Sequence, residues 1–110
     1  MDAIRQALWE ALRPTLGAEQ AEVHEEGSDA LLVALVLPPG SRTRLSPWIR
    51  VRLRPAPLEA MGSADAAGRA AMARAAAATV DWELSARGFE PDAGHEATFE
   101  IDLDLEHVGC

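Results

Sequence analysis

Three histidines lie beside acids, in the runs VHEE, GHE and EHV, as His24, His95 and His107. Imidazole next to carboxylate is donor chemistry from which zinc and nickel sites are built. The spacing argues against such a site. None of the three has the i, i+4 companion of an HExxH helix or a CxxC pair to complete a ligand set. Asp102 and Asp104 alternate on one strand face about 7 Å apart, but a catalytic carboxylate pair needs a cleft that moves one pKa, and an alternating strand offers none. No serine has a G-x-S-x-G context, no glycine-rich phosphate loop occurs, and the single cysteine is Cys110. The sequence therefore predicts no metal, no cofactor and no enzymatic activity, with a small-ligand enzyme as the remaining alternative.

The informative chemistry is a charge pattern. Residues 42–54 carry five of the ten arginines and no acid, whereas residues 90–106 carry seven acids and no arginine. In WIRVRLRP, residues 48–55, Ile49, Val51 and Leu53 fall on one face of a strand, and Trp48, Arg50, Arg52 and Arg54 on the other. In TFEIDLDLE, residues 98–106, Phe99, Ile101, Leu103 and Leu105 alternate with Glu100, Asp102, Asp104 and Glu106. Two strands so complementary are expected to lie side by side, with Arg50, Arg52 and Arg54 in structural ion pairs with Glu100, Asp102 and Asp104. A tryptophan among arginines also has the composition of a binding hot spot. Trp48, Arg50 and Arg52, with Leu32 and Val36, form the candidate partner-binding set, suited to an acidic or mixed-charge protein.

The elements that must position these residues follow from periodicity. Ile4, Ala7, Leu8, Ala11 and Leu12 recur at helical spacing over residues 2–16, with Asp2 as cap, Pro14 as a disturbance and Gly17 as terminator. Ala21 and Val23 begin a half-exposed strand that turns at residues 27–29. Residues 30–37, ALLVALVL, have no polar face, so either both faces are covered or one meets a partner. A long loop occupies residues 38–47. A helical turn is expected at residues 57–61, and a long alanine-rich helix from Ser63, as N-cap, to Gly88. Its inner stripe reads Met72, Ala75, Ala76, Thr79, Val80 and part of Trp82. The order is α-β-β-β-α-β: an α+β two-layer sandwich, a four-stranded, mostly antiparallel sheet with two helices on one face, formed by residues 1–110 as one domain.

Composition bounds the partners. A formal net charge of −8 opposes nucleic-acid binding, which needs basic side chains to neutralise phosphates. The longest strongly apolar run is far too short to span a bilayer. One cysteine allows no internal disulfide, and the amphipathic start is unlike a signal peptide, so a cytoplasmic protein is expected.

The run from IRVRLRPAPLEAM through the alanine helix to the last strand, with Leu58, Met61 and Arg69 among its positions, resembles short domain-of-unknown-function proteins of high-GC Gram-negative bacteria. The acidic α-β-β-β-α start followed by a strand is also similar to type III secretion chaperones, which usually continue for a strand and helix not found here. The first resemblance implies no active site, and the second implies a small binding protein of the secretion-chaperone or immunity type. Together with the residue patterns they predict a protein-interaction module, with a protein partner or a second copy as its ligand.

Overall fold

The computed structural model describes residues 1–17, 20–93 and 97–109. Among the described residues the fold is α+β, with three helices and four strands. These are α1 (Ala3–Leu16), β1 (Ala21–Glu26), β2 (Ala30–Leu35), β3 (Trp48–Leu53), α2 (Pro55–Ser63), α3 (Ala66–Ala86) and β4 (Thr98–Leu103), closed by a short 3-10 turn at Leu105–Val108. The sheet order is β1-β2-β3-β4; the first two pairings are antiparallel, and β3 and β4 run parallel. The helical crossover between β3 and β4 dictates that parallel sense.

The alternation in each strand selects the buried face. Leu31, Val33, Ile49, Val51, Leu53, Ile101 and Leu103 meet Leu8 and Leu12 of α1, Met61 of α2 and the inner side of α3 in one core. That inner side is Ala73, Ala76, Ala77, Val80 and Leu84. The expected stripe is corrected by this: it is rotated toward α1, Met72 and Thr79 lie at its margin, and Trp82 stands out in solvent, 68% exposed. Small side chains on both helices, Ala70 and Ala77 of α3 beside Ala7 and Ala11 of α1, let α3 lie close along α1, which accounts for the direction of the rotation.

Helix boundaries follow the caps. Asp2 accepts the Arg5 backbone N–H at 2.8 Å, and Gly17 ends α1 in the left-handed region with φ 66°. Pro14 lies inside α1 without ending it, one turn from the terminus, where its missing N–H costs a single bond. The expected start at Ser63 is a second correction. Ser63 ends α2, and Asp65 caps α3 by accepting from Gly68 N–H at 2.7 Å. Extended backbone at Ala64 and Asp65 separates the helices, and Arg69 closes the corner by donating to the carbonyls of Met61 and Ala64 at 3.1 and 2.9 Å.

β2 stops at Leu35, short of the expected Leu37, because the partner strand gains a residue. Val33 pairs with Ile49 but Val36 with Leu45, so three residues oppose two in a bulge. Pro47 has no N–H to give a ladder. The Ser46 hydroxyl takes the place of a backbone acceptor for Leu35 N–H at 2.9 Å, and Ser46 and Pro47 are buried. Beyond the bulge the hairpin continues, with Leu37 N–H donating to the Arg44 carbonyl at 2.8 Å. Among the described residues no helix is long and apolar enough to cross a membrane.

Candidate interaction face

The helices occupy one face of the sheet, and the other carries four columns of side chains: Glu22, His24 and Glu26 from β1; Ala30, Leu32 and Ala34 from β2; Trp48, Arg50 and Arg52 from β3; Thr98, Glu100 and Asp102 from β4. Glu22, His24, Glu100 and Asp102 are exposed, so this face is open. Leu32 and Trp48 are half-buried at its centre, and Ala30 and Ala34 are covered by their neighbours. The structure thus brings Leu32, Trp48, Arg50 and Arg52 together. Val36 lies past the end of β2, half-buried against the bulged continuation of the hairpin, next to the set and outside its strands.

Adjacency of β3 and β4 places Arg50 opposite Glu100 and Arg52 opposite Asp102. The side chains do not all follow that register. Arg50 bridges both edges of the sheet, pairing with Glu26 at 3.0 Å and with Glu100. The hydrogen bonds it donates to Glu26 and then to Glu100 raise its already high pKa, against a smaller effect of burial. Arg52 leans toward β1, to Glu26 at 3.6 Å and Asp29 at 3.9 Å. Arg54, at the N-cap of α2, takes Asp102 at 3.8 Å and Asp104 at 3.6 Å. All six residues expected in ion pairs make one, on a pattern that includes two β1–β2 acids the sequence reading left out. The signal for Glu26 was its even spacing from Glu22 and His24 along β1.

The histidines have separate surroundings. His24 sits 5.7 Å from the Trp48 ring, tilted by 57°, with Glu22 at 3.9 Å. The His107 Nδ1 accepts Asp104 N–H at 2.8 Å, completing a capping box for the last turn. That bond places the proton of a neutral His107 on Nε2. His95 and Cys110 lie outside the described residues. Among the described residues no group of three or more His, Cys, Asp or Glu is arranged to hold a metal ion, and no buried side-chain polar atom lacks a partner. Asp102 and Asp104, the expected strand-face pair, end on one guanidinium, with Asp104 beyond the strand at the cap of the final turn.

No protein family, no curated protein and no solved structure matches this chain.

Proposed function

We propose that the protein is a non-enzymatic interaction module that offers its open sheet face to another protein. The observation that carries this reading is the half-buried pair Leu32 and Trp48 at the centre of a face that no helix covers. A large aromatic flanked by guanidinium groups, with a polar rim that excludes water, is the arrangement in which single residues dominate binding. The rim also refines the partner. Four acids, Glu22, Glu26, Glu100 and Asp102, surround two arginines on this face, so a partner bringing an apolar side chain and a surplus of basic groups fits better than an acidic one. The same surplus of acid, and the net charge of −8, weigh against nucleic acid. A secretion-chaperone or immunity-type binder is a special case of this reading, and its single cysteine suits the cytoplasm.

The test is affinity capture with wild type and Trp48→Ala, followed by binding measurements with whatever protein is retained. Truncating Trp48 is expected to weaken binding by about 2 kcal/mol, roughly thirtyfold, with an unchanged circular dichroism spectrum. A protein held equally by both would remove the sheet face as the binding surface.

A further inference from the structure

The longest helix is apolar on both sides. The inward face of α3 is in the core, yet its outward face carries Ala71, Ala75, Ala78 and Trp82 at spacings of four, three and four. Ala71, Ala78 and Trp82 are exposed, and Trp82, 68% exposed, is the most exposed large hydrophobic side chain among the described residues. A surface helix of a globular protein ordinarily turns charge outward, and a helix apolar all round is one covered all round. The only charged side chains along this strip are Arg74 and Asp81, both exposed, and neither forms an ion pair or hydrogen bond within the described chain. Seven residues apart, they stand about 10.5 Å from each other along the helix, too far to pair.

We infer that α3 is a self-association surface, packing antiparallel on α3 of a second copy about a two-fold axis. Self-complementarity identifies the occupant. In an isologous interface residue i meets j and j meets i. Trp82 with Ala71, and Ala75 with Ala78, share one midpoint, between Ala76 and Ala77. An antiparallel pair centred there lays each indole over the partner's Ala71, where a small side chain leaves room, and sets alanine on alanine at the crossing. Arg74 and Asp81 lie on the same flank of the strip, and a two-fold axis perpendicular to the helix pair keeps that flank on one side. Each Arg74 then comes within about two residues, roughly 3 Å of helix rise, of the partner's Asp81 position, giving two symmetric ion pairs from groups that have none in the single chain. A partner chosen only for greasiness would not need the apolar and the charged pairs to centre within one residue of each other. The helix pair buries less than the roughly 1,600 Å² of a standard interface, so the dimer is expected to dissociate in the micromolar range. This inference concerns the helix side of the molecule and does not depend on the sheet-face reading.

The experiment is sedimentation equilibrium on the full chain with four variants. Wild type is expected to be dimeric at high micromolar concentration, and Trp82→Ala to weaken association about tenfold or more while leaving the circular dichroism spectrum unchanged. Arg74→Asp alone places acid against acid twice, and Asp81→Arg alone places base against base twice. Each is expected to be monomeric, and an equimolar mixture of the two is expected to form the heterodimer, because both ion pairs are regenerated, one in the native sense and one reversed. A wild type that stays monomeric throughout overturns the inference. So does a dimer that survives Trp82→Ala and is abolished by Trp48→Ala, which would put self-association on the sheet face. A mixture that remains monomeric while wild type dimerises overturns the antiparallel arrangement.

Discussion

Arg5 is the charge most deeply committed to the fold, at 6% exposure. Its guanidinium donates to Asp2 at 3.0 Å, to the carbonyls of Gly27 at 2.9 Å and Ala30 at 3.3 Å, and pairs with Glu25 at 3.0 Å. One side chain thereby ties the first turn of α1 to the β1–β2 turn. A guanidinium taken this far from water is tolerated only because its donors find acceptors. The Asp2 carboxyl responds: burial works against its ionisation, but the Arg5 backbone N–H, hydrogen bond and charge together outweigh burial and hold it below its usual 3.8. A lowered carboxyl binds its proton less readily in the folded chain than in the unfolded one. The stability it contributes is thus complete above the unfolded value and is lost as pH falls through the folded one. Arg5→Met is expected to destabilise the protein at neutral pH by about 3 kcal/mol, the low end for a broken buried pair because Asp2 and Glu25 keep access to water. Urea unfolding at pH 7 and pH 2 should show wild type losing more stability between the two than the variant. Equal losses would mean that acid acts elsewhere.

At the scale of elements, the ladder between β3 and β4 separates register from side-chain reach. Arg50 and Glu100 are paired in register and in contact, whereas Arg52 and Asp102 are paired in register while Arg52 turns to Glu26 and Asp29. Double-mutant cycles are expected to give a coupling of about 0.5–1 kcal/mol for Arg50 with Glu100 and one near zero for Arg52 with Asp102. Equal couplings would mean that these side chains follow the register in solution. The adjacency of the two strands was legible in the sequence because long-range charge complementarity and clean alternation agreed. The bulge was not, since Ser46-Pro47 reads as a loop until β2 is laid beside it. The α2–α3 corner was hidden because alanine satisfies a helix on either side of Asp65, and only the cap geometry and Arg69 show where the chain turns. Nor did the pattern reveal Arg5: it shares a helical face with Leu8 and Leu12, but an apolar periodicity does not count a charged residue, and arginine is rarely buried unless paired. For the candidate site, alternation placed Trp48, Arg50 and Arg52 on one face correctly. Trp82 was misplaced because a helix apolar all round gives periodicity nothing to distinguish.

At the scale of the molecule, the two proposed surfaces lie on opposite sides of one sheet, so a dimer through α3 would present two sheet faces outward. Charge opposes that dimer. Each chain carries −8, and the shape, 44 by 24 by 23 Å, sets the centres of two copies stacked through their helix layers about 24 Å apart. Treated as central charges in water, they repel by roughly 10 kcal/mol without screening, on the order of 5 at 0.01 M salt, and under about 1 at 0.15 M, where the Debye length is near 8 Å. The attraction that salt removes is smaller, because two exposed Arg74–Asp81 pairs contribute about 0.2–1 kcal/mol each. Repulsion therefore decides the sign: self-association is expected to tighten by about tenfold or more between 0.01 and 0.15 M sodium chloride, then to change little, as measured by sedimentation at fixed pH. Association that weakens steadily with salt would instead show that local opposite charges dominate, which two exposed ion pairs on α3 are too weak to do.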